Sequence, residues 1–516
     1  MALDSAAENN EAVLDSNDAP LMQSIEISHH QLTASLQTQI VRDLGYFREL
    51  VCDSAEFHLG SLCAGSGIER KAILKLQQFW AKEFDMNITI TNKYAAESVK
   101  GKQQHLKLDC DCESLFGDVE DIKYVKAYDL KSRNNKTVPY VHGIIAGFPC
   151  VDRSPQNPRA SNNLGCVAKG EGKTGGVFAD IAAVISKNSP LLVILENVTS
   201  LKQTFSDRGT DTSDVTFIRD TMQRLGYVCF DNVVASTDYG SETARTRVYI
   251  VGIKADRRIA TALRNYYDRI LQEMKIGRPF HINEFINFNA EKNNAIESRL
   301  KFDEKPEWPF ERTYDTKEHQ QFDDEADLTF PPEIGAEHGE IYTKLSVRQK
   351  HLLYFIDRAF PASSKITFVD VNESMSSLLT ERMAAAHREK RQRPAKKQLK
   401  QPWHDKIPCI TSKSAFVMRV KEDDGTQWMR LLHAWEQMAL MGWHVTDWAQ
   451  KSRKGSGVTP ELVKNMSGNA FNAFAFWPVF AASIACLGHA AARARDDAPI
   501  DGSASPEARS TSSDSD

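Results

Sequence analysis

The sequence predicts an α/β protein: a doubly wound, mostly parallel sheet with a second, smaller lobe. Two observations carry this. From residue 57 to 253, short runs of aliphatic and β-branched residues alternate with helical patterns, as in parallel sheets with crossover helices. The residues able to do chemistry fall where those runs end, and ligands of open α/β sheets collect at the carboxyl ends of strands.

The composition sets limits. The chain has 516 residues, 41% of them apolar, enough for a large domain and a second lobe. The net charge of −5 means that any nucleic-acid contact uses a local basic face. Nine scattered cysteines without zinc-ligand spacing read as reduced thiols, and no metal is expected. The first residues are acidic and polar, unlike a secretory signal. Residues 1–30 read as disordered and 31–56 as a helical lead-in.

The folded part opens with HLGSLCAGSGIERKAILKLQQF, a strand, a glycine turn (Ala64-Gly65-Ser66-Gly67) and a helix. Such a turn brings backbone N–H groups close to a ligand, although it lacks a full GxGxxG. A second strand, Met86–Ala95, leads to Glu97, and a third leads to Asp118. The fourth, from Gly143 through Gly147 to Phe148, delivers Pro149-Cys150 into a long polar stretch that reads as a mobile loop. Its Gly172-Lys173-Thr174 is not a P-loop, because Val167 stands where the first glycine belongs. A helix over 177–187 and the strand PLLVILENV follow, placing Glu196-Asn197 at a strand end, where a carboxylate needs solvent, a partner or a task. Next come a helix over 214–225, a strand pair over 227–240, and Arg245-Thr246-Arg247 ahead of the strand from Val248 to Gly252.

Taken in order, Pro149-Cys150 with Ser154, Glu196-Asn197-Val198 and Arg245-Thr246-Arg247, roughly 45 to 50 residues apart, resemble the catalytic motifs of the DNA (cytosine-5) methyltransferases. The resemblance covers about 57–253 and 405–490. It implies a Rossmann-like methyltransferase that uses S-adenosylmethionine, with Cys63 to Gly67 against the methionine part, Glu97 at the ribose and Asp118 at the adenine amino group. Gly147, Asn469 and Ala470 join the same pocket. Cys63 departs from the family's usual Phe, and Val151 from its usual Gln. It also implies Cys150 as nucleophile toward carbon 6 of a flipped cytosine in double-stranded DNA, with Glu196 at ring nitrogen 3. Arg247 and Arg245 then hold the base and the glutamate, Asn197 braces the strand end, and Ser154 meets a phosphate or the loop. Residue types suit these roles independently: a thiol at a strand end beside basic residues can be partly deprotonated. The same chemistry on RNA, and a nucleic-acid-binding homologue with weak activity, stay open.

The remainder is organised by position. Residues 254–404 read as a target-recognition lobe and basic linker, with helices over 257–275, 345–359 and 374–390. The segment 382–400 carries eight Arg or Lys against one Glu; a solvated linker, phosphate contact and nuclear import are its readings, and a nuclear location is the expectation. Residues 405–491 return to the catalytic domain. There WMRLLHAWEQMALMGW resembles the family's Arg-containing helix, and Ser467-Gly468-Asn469-Ala470 its Gly-Asn turn. The apolar stretch 470–491 reads as a helix packed on the sheet and not as a membrane span, and 492–516 as a disordered tail.

Overall fold

The computed structural model describes residues 19–51, 56–285 (without 156, 158 and 208–209), 349, 353, 366–371, 403–404, 407–412, 414–421, 427–443 and 457–496. The initial acidic residues, the helices predicted over 345–359 (but for two residues) and 374–390, the basic segment 382–400 and the tail beyond 496 lie outside them.

Two helices, α1 (Ala19–Gln31) and α2 (Ala34–Leu50), precede the sheet. The expectation of disorder to residue 30 is therefore corrected: Leu21 and Ile25 form one buried helical face, and the Ser24 hydroxyl donates to the Tyr239 carbonyl at 2.6 Å. Then follow β1 (Glu56–Leu62), α3 (Ile68–Phe84), β2 (Thr89–Ala96), α4 (Lys100–Asp109), β3 (Ser114–Phe116) and α5 (Val119–Ile122). A ribbon of β4 (Lys126–Asp129) and β5 (Asn134–Thr137) leads to β6 (Gly143–Gly147), α6 (Cys166–Lys169), α7 (Gly172–Asn188) and β7 (Leu192–Asn197). A second ribbon, β8 (Thr204–Asp207) and β9 (Thr210–Ser213), precedes α8 (Asp214–Arg224), β10 (Val228–Ala235), β11 (Thr246–Ile253) and α9 (Ala260–Glu273). Val228–Ala235 is one uninterrupted strand paired along its length with β11, not the predicted strand pair.

The main sheet runs β10-β11-β7-β6-β1-β2-β3, and β11 runs opposite to both strands beside it. Strand order reverses between β1 and β6, so the switch point lies where Cys63 and Phe148 leave the sheet. Because β11 runs the other way, its first residues, and not its last, meet the carboxyl ends of the parallel strands. That reversal carries Arg247 to the end of β7.

Beyond α9, β12 (Ile366–Asp370), β13 (Trp403–His404), β14 (Phe416–Lys421) and β15 (Gln427–Leu431) form an antiparallel sheet with strands from both sides of residue 404. The segment expected as one Arg-containing helix is split: Trp428 to Leu431 lie in β15, and α10 is only Ala434–Ala439. Arg430 still reaches Glu436 with two contacts of 2.7 Å. In α11 (Pro460–Asn469) the predicted Gly-Asn turn is the end of a helix. The last helix, α12 (Ala473–Asp496), extends past the expected limit of 491.

Apolar residues surround α12, and a helix of that kind is stable only when enclosed. It is long and apolar enough to cross a membrane, yet its most apolar window is wholly buried in the fold. It packs with α1, α2, α3 and α9 on one face of the sheet, while α5, α7 and α8 cover the other. Gly488 permits the close approach to α2: a Cβ there would stand 1.8 Å from the Asp43 carbonyl oxygen. Next to it, His489 Nδ1 lies 3.2 Å from the buried Asp43 carboxylate.

Candidate active site

The strand β6 is buried from Gly143 to Ala146 and ends at Gly147, in register with Glu196. After Phe148 the chain folds back tightly, and the Cys150 carbonyl accepts from the N–H groups of Arg153 (3.0 Å) and Ser154 (2.8 Å). Asn197 fixes the approach: its amide nitrogen donates to the Phe148 carbonyl at 3.0 Å, while its oxygen accepts from Val198 N–H at 2.8 Å. Asn197 thereby ties the strand end to the residue two before the cysteine.

Glu196 and Arg247 form an ion pair, Oε1 to Nε 3.0 Å, with both side chains nearly buried. Burial pushes the Glu196 carboxyl above its ordinary range, and Arg247 and then Arg245 oppose that rise. The acid is thereby biased toward holding a proton. Cys150 is half-buried, and burial raises its thiol as well; Arg247 pulls it down, Glu196 pushes it up, and Arg245 pulls it down. Desolvation outweighs the two arginines, so the shift runs against the expectation of an acidified thiol.

Arg245 has a different position from the one expected. Its guanidinium is buried and donates to the carbonyls of Ile410 (3.1 Å), Gly468 (3.0 Å) and Ala470 (2.6 Å). It fastens the later part of the chain to the catalytic strand and does not grip the glutamate. Ala470 thus reaches the site through its carbonyl, whereas the exposed Asn469 turns its side chain back to Asn465 on its own helix.

The polar stretch after Cys150 is more structured than a mobile loop. Arg153 is fully buried, with donors to Ala160 and Ser200 carbonyls at 2.8 and 2.6 Å and Nε 3.5 Å from the Asp214 carboxylate. Gly172-Lys173-Thr174 opens α7, where the Asp152 carboxylate accepts from Thr174 N–H at 2.7 Å. Sequence reading missed Arg153, whose only signal was a charge three residues past the cysteine. It also missed Tyr249, which lies opposite Glu196 in register and whose buried hydroxyl has no partner among the described residues. Phe471 stacks on Tyr249 at 6.5 Å and lies against Gly147.

Across the switch point lies the glycine turn. Gly65 and Gly67 take φ of +57° and +73°, values that glycine adopts without strain, and Cys63 stands at +53°. Both Glu97 oxygens meet backbone donors, Oε2 from Gly65 N–H and Oε1 from Val99 N–H, each at 2.9 Å. Asp118 is exposed and caps α5, accepting from Glu120 N–H at 3.3 Å. Burial, then the charges of Glu97 and Asp118, raise the Cys63 thiol. Within the turn Ala64 is buried, and so is the Ser66 hydroxyl, which has no partner among the described residues.

A sheet reversing between β1 and β6, with a glycine turn on one side and a cysteine beside a glutamate–arginine pair on the other, is a Rossmann-like methyltransferase fold. The chain belongs to the C-5 cytosine-specific DNA methylase family, whose model matches residues 119–471, more than half of its length. It is similar to the type II methyltransferase M.SsoII of Shigella sonnei, 32% identical over 130 residues, 25% of this chain and 31% of that protein. Type II methyltransferase M.HhaI of Haemophilus parahaemolyticus is 28% identical over 158 residues, 31% of this chain and 41% of that protein. The matched stretch thus spans a third to two fifths of these relatives.

Proposed function

We propose that this protein transfers a methyl group from S-adenosylmethionine to carbon 5 of cytosine in double-stranded DNA. The observation that carries the reading is Cys150, at the end of β6 beside the Glu196–Arg247 pair. The glycine turn fits the cofactor: it has close backbone, a buried Ser66 hydroxyl without a partner among the described residues, and Glu97 bonded to Gly65 N–H. Gly65 to Gly67, Glu97 and Asp118 would hold it. When bound, it supplies an electrophilic methyl group.

The chain's own part is proton and nucleophile management. Cys150 gives up its proton to water and its sulfur adds to carbon 6, while Glu196, whose hold on a proton burial strengthens, delivers one to ring nitrogen 3. Carbon 5 is then electron-rich enough to take the methyl group. Loss of the carbon 5 proton to a base expels the Cys150 thiolate. Arg247 holds Glu196 in place and balances its charge after transfer. A cysteine recessed at a strand end requires the cytosine to flip out of the duplex. Strands on both sides of residue 404 supply the proposed target-recognition surface, and the basic segment 382–400 supports nuclear import and a place in epigenetic marking. No membrane partner enters this reading.

The test is transfer of tritiated methyl from S-adenosylmethionine to unmethylated and hemimethylated duplex DNA, with tRNA alongside. Label on DNA cytosine that Cys150→Ala abolishes is expected. Label on tRNA alone would move the substrate to RNA, and cofactor binding without transfer would leave a binding homologue.

A further inference from the structure

The ribbon β4–β5 takes no part in the site and meets the core through Ala127. Four of the most exposed large apolar side chains lie on it or at its open end: Tyr124 (61% exposed), Val125 (66%), Tyr128 (51%) and Tyr140 (53%). These three tyrosines are the only aromatic residues among the exposed large hydrophobics of the described residues. Aromatic rings displayed to water in one place mark an interaction surface.

The ribbon's charge points to the partner. Residues 123–140 hold five Lys or Arg and one Asp, in a chain whose net charge is −5. The single acid, Asp129, is buried and paired with Lys136 at 2.7 Å. Lys126 and Arg133 form no ion pair among the described residues, and the exposed surface is cationic. Register gives its pattern. Tyr128 lies opposite Asn135, and Lys126 opposite Thr137, so one exposed face presents a ring, an ammonium, an amide and a hydroxyl together.

The ribbon is also remote from Cys150. Leu130 N–H bonds the Leu115 carbonyl of the edge strand β3 at 2.7 Å, and Tyr140 packs edge-on against His142, which enters the amino end of β6. Lys187, in the last turn of α7, binds the Tyr124 carbonyl. The open end therefore sits at the amino-terminal edge of the sheet, opposite the candidate site.

We propose that this ribbon is a binding surface for single-stranded RNA. Unpaired bases stack on Tyr124, Tyr128 and Tyr140, and phosphates meet Lys126 and Arg133. Asn135 and Thr137 offer hydrogen bonds to ribose 2′-hydroxyls, which separates RNA from DNA.

The probe is a fluorescein-labelled oligouridylate titrated with the full chain, with oligothymidylate, duplex DNA and polyglutamate in parallel. Oligouridylate is expected to bind more tightly than oligothymidylate. Joint Tyr124→Ala, Tyr128→Ala and Tyr140→Ala should weaken it about tenfold or more. Lys126→Glu with Arg133→Glu should lower the salt dependence, by roughly one in the log–log slope. Methyl transfer to duplex DNA should be unchanged in both variants. Ultraviolet crosslinking of the wild-type complex should map to the three tyrosines, a result that needs no variant to fold. The proposal is overturned if the variants bind RNA as the wild type does, if oligothymidylate binds equally well, or if crosslinks fall elsewhere. Polyglutamate as the one probe lost in the variants would likewise overturn it, in favour of an acidic protein partner.

Discussion

The two halves of the sheet's carboxyl edge handle buried acid in opposite ways. On the β7 side, Glu196 is desolvated but faces Arg247, with Arg245 close by. On the β1 side, Glu69 is just as buried and has no cation among the described residues, but the Ser61 hydroxyl at 2.5 Å and a backbone N–H, with Glu97 adding repulsion. Its carboxyl is pushed up to about 7. Glu97, in the same half, is satisfied by two backbone N–H groups. The β7 half thus sets charge against charge, whereas the other half fixes acids with backbone and hydroxyl groups. A proton can be exchanged in the first arrangement without rebuilding the turn.

The largest expected effect comes from Glu196→Gln, which keeps the shape and removes the transferable proton. Its kcat for methyl transfer should fall by about 10² to 10⁴. Calorimetric affinity for S-adenosylhomocysteine should stay at the wild-type level, and a parallel loss of both would show that the halves are not separable.

A second contrast lies within the catalytic half. Arg245→Leu strands three interior carbonyls, and it should lower unfolding free energy by about 3 kcal/mol in urea titrations. Arg247→Leu should cost less stability and more turnover, because its guanidinium serves Glu196. Equal urea midpoints would remove the distinction drawn between the two arginines.

The smallest effect tests the other half. Glu69 holds its proton in the folded chain up to about 7, against an ordinary 4.5. The unfolded chain releases that proton first, so stability falls as pH rises through this window and then levels off. The fall attributable to this group is at most about 3 kcal/mol. Glu69→Gln should flatten the profile between about pH 5 and about pH 8 and stabilise the protein at the upper end. An unchanged profile would mean that the burial of Glu69 carries no such cost.

Much of this was legible in the sequence, because each chemical group sits at a strand end that a hydrophobic run announces. Cys150, Glu196 and Asn197 lie within a residue or two of the expected boundaries, and so do Glu97 and the glycine turn. What local pattern could not separate was Arg245 from Arg247. They share strand parity and charge, and only the return of residues 410 and 468–470 decides which one is structural. The helix α1 was hidden by acidic, polar neighbours, although Leu21, Ile25 and Leu32 already have helical spacing. In Trp428 to Trp443 an apolar stretch fits strand or helix equally, and pairing with β14 chose strand for its first part. The thiol state of Cys150 depended on desolvation, which no spacing reveals.

The position of α12 has a consequence for how the chain is made. The helix that fills one face of the sheet spans residues 473–496, and its partners include α2, at residues 34–50. During translation the sheet strands, complete by residue 253, leave the ribosome long before the helix that seals them. For the synthesis of more than two hundred residues, at about 5 to 20 residues per second, that apolar face has no final cover. A nascent chain of this design depends on being shielded for tens of seconds, so chaperone supply should set its yield more strongly than the stability of the finished fold.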